Sequence, residues 1–429
     1  MSSMSLHMPG PSPSPTSETA ELLARRRELL APTYCLFYEE PVHLVRAEGV
    51  WMYDAQGRRY LDAYNNVPVV GHCHPDVVEA LTRQARTLNT HTRYLTDAPL
   101  QLAERLLATL PSETRRVTFT CTGSDANDLA VRISKAATGG QGFIVTEHAY
   151  HGTTEIVAGM SPAGGGELGA GVHTVPAPVH PQDAAAFATN VERCIARMRS
   201  AGIRPAALLA DTIFSSDGVT GDVGYLPGAV AAIHEAGGLF IADEVQPGFG
   251  RTGDSMWGFQ RHAVLPDLIT MGKPMGNGHP IAAVVARPEV VSEFAKRTSY
   301  FNTFGGNSVS CAVALAVLNV IERDRLLDNA RTTGAYLQQG LHKLASRHER
   351  IRAIRGSGLF LGVEIGAHPA LALNARQETA RIVNGLRREG VLIGSAGRNA
   401  DTLKIRPPLP FGRQEADLLL EKLDLVLHG

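Results

Sequence analysis

Between about residue 95 and residue 320 the chain repeats one hydrophobic pattern: a short apolar run, a glycine-rich or polar break, then a longer stretch with helical spacing. The apolar runs fall at 117–120, 143–146, 206–211, 239–243, 268–271 and 281–286. None alternates cleanly between apolar and polar positions, as expected of strands buried on both faces. Three segments with helical spacing separate most of them: DANDLAVRISKAA, DAAAFATNVERCIARMRSAG and LPGAVAAIHEAG. The alternation predicts an α/β domain with a largely parallel sheet.

The flanks read differently. MSSMSLHMPGPSPSPTSETA is rich in Pro and Ser and predicts a disordered tail, ending where Thr16 to Glu18 can cap a helix ETAELLARRRELL. HLVRAEGVWMYDAQGRRYLDAY predicts short strands around an Asp-Ala-Gln-Gly turn, and PDVVEALTRQARTLN a helix with Pro75 at its start. Beyond 325, helices NARTTGAYLQQGLHKLASRH, ARQETARIVNGLRREG and RQEADLLLEKLDLVL enclose strands IRAIRGSG, FLGVEI, VLIGS and LKIRP. The expected organisation is a tail over 1–20, a segment over 21–70 joining the small domain, a large domain over 71–324 and a small α+β domain over 325–429.

Composition narrows the function classes. A chain of 429 residues that is 44% hydrophobic can bury a substantial core in two domains. With 41 basic and 42 acidic residues, the net charge of -1 argues against a nucleic-acid surface or a polybasic membrane patch. Five scattered cysteines without a CxxC read as free thiols in a reducing compartment. There is no apolar run of about 20 residues, and the N-terminus lacks a signal-peptide pattern. The expectation is a cytoplasmic enzyme with neither nucleic acid nor membrane as partner.

The candidate chemistry sits where apolar runs end, which is where open α/β sheets bind ligands. GLFIADEVQPGFGR ends a strand at Asp243, and thirty residues later TMGKPMGNGHP brings Lys273 off another. A carboxylate and a lysine on one rim can serve one ligand or simply pair with each other. In TFTCTGSDANDLAVR, Gly123 and Ser124 open a helix whose N-terminal N–H groups suit a phosphate, although Ser before a helix is also an ordinary cap. NTFGGNSVSCAVALAV repeats the motif with Thr303. EHAYHGTT places Tyr150 and His151 after a strand, where an aromatic can stack on a planar ring or pack in the core.

Together these features suit pyridoxal phosphate: a phosphate anchor, an aromatic face, an acid for a ring nitrogen and a lysine to hold the aldehyde. The combination resembles the class III (ω-type) aminotransferases of the fold-type-I pyridoxal-phosphate enzymes, over nearly the whole chain after about residue 30. Within them NNVPVVGHCHPDVV, LNTHTRYL, GKPMGNGHP and YFNTFGGNSVSCAVALAVLNVIE are most similar to the ethanolamine-phosphate phospho-lyase branch. The resemblance implies a mostly parallel seven-stranded sheet sandwiched by helices, plus the smaller domain. It implies that Lys273 joins the cofactor covalently, Asp243 pairs with its ring nitrogen, Val245 and Tyr150 cover its two faces, and Gln246 lies near its phenolic oxygen. Gly123 and Ser124 would hold its phosphate beside His151. Thr303 would reach the neighbouring subunit's cofactor, making a homodimer with shared sites, or a dimer of dimers.

Two departures bear on the reaction. Aminotransferases of this family usually carry, three residues before a Pro-Pro pair, an arginine that grips a substrate carboxylate. Here that residue is Lys404 in DTLKIRPPLPF, a point charge better suited to a phosphate. Arg406 shares its strand face, so both point at substrate or both face solvent. Asp211 and Thr212 replace the family's frequent Glu-Pro, shortening the acid that tethers a switching arginine. Both favour a phospho-lyase that turns ethanolamine phosphate into acetaldehyde, ammonia and phosphate; the alternative is an ω-aminotransferase. Asn65, Asn66 and Arg93 are further candidate substrate contacts, Arg93 also suiting a structural ion pair. His72 and His74 in GHCHP read as turn and helix-start residues, and no metal is expected.

Overall fold

The computed structural model describes residues 17–111, 116–180 and 183–429. The predicted tail and Thr16 therefore fall almost entirely outside the described residues; the helix that follows spans Ser17–Leu29.

Seven strands form the central sheet, in the order Arg116–Thr120, Ala282–Ala286, Leu268–Met271, Leu239–Asp243, Pro205–Asp211, Gly142–Thr146, Val172–Val175. Ala282–Ala286 runs antiparallel to both neighbours, and the other pairings are parallel. The absence of polar alternation has a direct cause. In Leu239–Asp243 the residues Leu239 and Ile241 pack into one apolar core, while Phe240 and Ala242 pack into the other. Each face is covered by helices, so both side-chain sets must be apolar. Asp243 ends the strand on the Leu239–Ile241 face, which puts its carboxylate toward the helix Gly123–Thr138.

The edge strand Val172–Val175 lay outside the predicted runs. It has four residues, three of them only partly buried. The expected strand VLIGS divides in two. Val391–Leu392 pairs in parallel with Leu61 and Asp62, in the sheet built by the N-terminal strands Leu44–Glu48, Trp51–Asp54 and Arg59–Asp62. Gly394–Ala396 pairs instead with Thr402–Ile405 in a separate four-stranded sheet. The turn joining Trp51–Asp54 to Arg59–Asp62 is held by Asp54, whose Oδ1 accepts from the N–H groups of Gln56 and Arg58. Among the described residues no helix is long and apolar enough to cross a membrane.

Candidate active site

The strand ends converge on one cavity of about 380 Å³, lined by Gly123, Ser124, Tyr150, His151, Asp243, Val245, Gln246 and Lys273. Eight of the predicted site residues thus meet on one surface, although they come from four separate stretches of chain.

Asp243 is 3% exposed and is fixed by three donors. His151 Nδ1 lies 2.7 Å from its Oδ2, Asn127 Nδ2 donates to the same oxygen at 2.9 Å, and the Val245 N–H donates to Oδ1 at 3.1 Å. Asn127 cannot rotate freely. Its Nδ2 also donates to the His151 carbonyl at 2.8 Å, and its Oδ1 accepts from Thr270 Oγ1 at 2.6 Å. His151 is placed in turn by its N–H, which donates to Ser161 Oγ at 2.9 Å. Three donors fix the orientation of the carboxylate.

Lys273 follows Gly272 at the end of Leu268–Met271 and has φ of 33°, a left-handed conformation that costs a side-chain-bearing residue about 1–3 kcal/mol. Burial is the main cause that lowers its pKa, to about 7, and the Arg406 guanidinium pushes it the same way; Asp243 and Asp211 oppose them. A lysine poised there supplies the neutral amine that attacks an aldehyde.

The helix Gly123–Thr138 starts with a capping box. Thr122 Oγ1 accepts from the Asp125 N–H, and the Asp125 carboxylate accepts from the Thr122 N–H. Those bonds leave the N–H groups of Gly123 and Ser124 for a ligand. Ser124 Oγ accepts from the Thr153 N–H at 3.1 Å and lies 3.5 Å from Thr153 Oγ1, so its hydrogen can turn to that hydroxyl or to a ligand. The backbone must come close here. A Cβ on Gly152, which has φ of 138°, would lie 2.5 Å from Ser124 Oγ, and one on Gly123 would lie 2.9 Å from a Val245 methyl.

The two cations of Thr402–Ile405 and its continuation face inward. Lys404 and Arg406 are each 6% exposed and lie 5.5 and 6.0 Å from the centroid of the same Phe360 ring. Lys404 Nζ donates to the Ser215 carbonyl at 2.7 Å, and burial, then Arg406 and Lys273, drive its pKa well down. Arg406 stacks 4.4 Å from the Tyr64 centroid and donates to Gln246 Oε1, which also accepts from Asn66 Nδ2 at 2.9 Å. Of the two orientations left open for this pair, solvent is excluded. Asp211 does not tether Lys404: it accepts from the N–H groups of Ile213 and Ser215, at 3.0 Å each, and shapes the turn that presents the Ser215 carbonyl.

Six predicted residues do not line this chain's cavity: Asn66 and Arg406 reach it through their bonds to Gln246, Lys404 lies beside Arg406 at the Phe360 ring, and Asn65, Arg93 and Thr303 stand apart from it. Asn65 Oδ1 accepts from the Val67 N–H and shapes a turn, while Arg93 is exposed with its guanidinium 3.8 Å over Phe301, a cation–ring contact rather than an ion pair. Thr303 is exposed on the loop before Ser308–Arg323. His72 pairs with Asp62 and His74 caps the helix Pro75–Thr87. Asn127, Thr270 and Ser161 were missed. None of the three stands out locally: the helix that carries Asn127 also buries Ser134 and Thr138.

The donor set suits one kind of occupant. A planar ring with an N–H to donate fits the Asp243 carboxylate, a phosphate fits the free N–H groups of Gly123 and Ser124, and an aldehyde fits Lys273. The Nε2 of His151, buried without a hydrogen-bond partner among the described residues, faces the same site. This is the fold and the site of a pyridoxal-phosphate enzyme of fold type I.

Comparison with known proteins agrees. Residues 38–427 match the family Aminotransferase class-III, and the chain belongs to it, with pyridoxal phosphate as cofactor. A phospholyase from Arthrobacter, solved in complex with phosphoethanolamine, is 42% identical, superposes with a TM-score of 0.91, and is matched over 95% of this chain and 99% of its own. An alanine–glyoxylate aminotransferase 2 homolog of Arabidopsis thaliana is 39% identical, over 97% of this chain and 89% of its own length. An ethanolamine-phosphate phospho-lyase homolog of Caenorhabditis elegans is 34% identical, over 95% and 93%.

Proposed function

We propose that this chain is a phospho-lyase acting on a small phosphorylated amine, with ethanolamine phosphate the first candidate. The observation that carries the reading is a cluster of three basic side chains, none of them held in an ion pair. Among the described residues, Lys273, Lys404 and Arg406 make no ion pair, and the hydrogen bonds of Lys404 and Arg406 go to a carbonyl and to an amide. Charge held this way in a low-dielectric site calls for an anionic ligand. Lys404 recognises a phosphate as a point charge where a planar arginine fork would select a carboxylate. The likeness to the Arthrobacter phospholyase supports the same substrate class.

Pyridoxal phosphate, when bound, supplies an electron sink for the pair left when a substrate C–H bond breaks. The chain's residues do the rest. Asp243, oriented by Asn127 and His151, keeps the ring nitrogen protonated. Lys273, neutral near pH 7, takes the proton from the substrate carbon. Lys404 and Arg406 hold the phosphate whose C–O bond then breaks, and water completes the conversion to acetaldehyde and ammonia. In the same reading the enzyme is a homodimer, or a dimer of dimers, and Thr303 completes the other copy's phosphate site. Exposed apolar side chains support this: in the single chain Phe304 beside Thr303 is 69% exposed, and Leu95, on a different loop, is 95% exposed.

The likeness to alanine–glyoxylate aminotransferase 2 homologs favours a second reading, transfer of the amino group to a 2-oxo acid. One assay separates the two. Ethanolamine phosphate should release inorganic phosphate and acetaldehyde in equal amounts without any oxo-acid acceptor. An absolute need for an acceptor, with phosphate retained on the product, would establish the aminotransferase instead.

A further inference from the structure

One ionisable side chain on the cavity wall has no part in the chemistry above. His279 lies six residues after Lys273, on the loop Asn277–Pro280, and lines the same cavity. It is placed from three directions. Its N–H donates to the Gly276 carbonyl at 2.9 Å. Its Nε2 lies 2.9 Å from Ser310 Oγ, on the buried first turn of Ser308–Arg323. The loop itself is clamped by Asn277, which accepts from the Val70 N–H at 3.0 Å and donates to the Gly71 carbonyl at 2.9 Å.

We infer that His279 is a specificity-determining residue that donates its Nδ1–H to the phosphate of the substrate, an inference that rests on the phospho-lyase reading. Nδ1 makes no hydrogen bond to protein among the described residues, and it is not among the buried polar atoms left without a partner. Among the described residues the Ser310 hydroxyl has His279 as its one side-chain partner, so its own hydrogen is free to point at Nε2. When it does, the imidazole carries its proton on Nδ1 and offers a donor to the cavity. An anion there selects that tautomer, and the neutral ring adds no charge to a cavity already lined by Lys273. Burial lowers the pKa of His279 and favours the neutral form. The cofactor's phosphate has donors of its own at Gly123 and Ser124, which leaves His279 for a second phosphate.

The test uses the cofactor-loaded enzyme with His279→Phe, which keeps ring volume and removes both nitrogens, and His279→Asn, whose amide nitrogen occupies roughly the Nδ1 position. A hydrogen bond to a charged group predicts a rise of about 10–100-fold in KM for ethanolamine phosphate in the Phe variant, largely reversed in the Asn variant. The dissociation constant for inorganic phosphate, read from phosphorus NMR line broadening, should rise by the same factor. The rate of amino-group loss from an unphosphorylated amine and the dissociation constant of pyridoxal phosphate should both stay put. Unchanged phosphate binding in the Phe variant overturns the inference. So does an equal loss with phosphorylated and unphosphorylated amines, and so does weakened cofactor binding with KM unchanged, which would assign His279 to the cofactor's phosphate. If the wild-type enzyme releases no phosphate from ethanolamine phosphate, the phospho-lyase reading fails, and the NMR comparison still decides whether His279 binds phosphate.

Discussion

Lys273 sits where two demands oppose each other. It must lie close to Asp243 to share one ligand, yet an acid nearby keeps a lysine charged and inert. Burial and Arg406 settle the contest by bringing its pKa down to about 7. The sign of the consequence is definite. Below about pH 7 the folded protein holds mostly the charged amine, and above it mostly the neutral one. Loading of pyridoxal phosphate onto cofactor-free protein should therefore speed up about tenfold per pH unit up to near pH 7, then level off. Stopped-flow absorbance would measure this, and a rate still climbing beyond pH 9 would show an unperturbed lysine. Lys404 can be tested alongside it. Lys404→Met keeps the buried stem and removes the charge, so KM for the phosphorylated amine should rise at least about tenfold while cofactor affinity holds. Asp243, Lys273 and Ser124 were readable from the sequence because each interrupts an apolar run at a strand end. Asn127 and Thr270 lie inside regular elements, where nothing in the periodicity separates a polar residue that orients the catalytic acid from one that is merely tolerated.

At the scale of elements, the N-terminus of Gly123–Thr138 works only because neighbouring chain comes unusually near it. A Cβ on Gly272 would lie 3.2 Å from the Gly123 nitrogen, and Gly152 presses on Ser124. Gly152→Ala should therefore move Ser124 and weaken pyridoxal phosphate by about tenfold or more, along with a stability loss of roughly 1–3 kcal/mol from the positive φ. Gly57→Ala is the control: φ is 80° and no atom lies within 4 Å of the added Cβ. It should lose stability and leave cofactor affinity alone, as equilibrium titration of the two variants would show. Six of the seven central strands were legible, five of them because burial on both faces leaves a continuous apolar run; the sixth, Arg116–Thr120, is a partly buried edge strand. Val172–Val175 was not legible, because an edge strand of four residues buries too little to leave that trace. The division of VLIGS around Ile393 was equally hidden. Local spacing reports that a residue is extended, whereas the choice of partner, Leu61 on one side and Leu403 on the other, is made by the rest of the fold.

For the molecule as a whole, the question is why Thr303, so similar in setting to Ser124, stands exposed in a single chain. Its loop is held firmly: Asn302 Oδ1 accepts from the Phe304 and Gly305 N–H groups at 3.2 and 3.0 Å, and Asn307 caps the helix that follows. A firmly held loop carrying an exposed hydroxyl between exposed Phe301 and Phe304 suits the proposed contact with another copy. If the site is shared across a two-fold dimer, each centre needs Lys273 from one chain and Thr303 from the other. Lys273→Ala and Thr303→Asp homodimers should then both be inactive, the second because a carboxylate repels the cofactor's phosphate. Co-expression of the two variants should restore activity. In a mixed dimer both defects fall on one site and the other is intact. Random pairing makes half the dimers mixed, each with one working site of two, so about a quarter of wild-type phosphate release should return. A mixture that stays inactive while mixed dimers demonstrably form would place both residues in the same chain's site and require a different source for the second phosphate ligand.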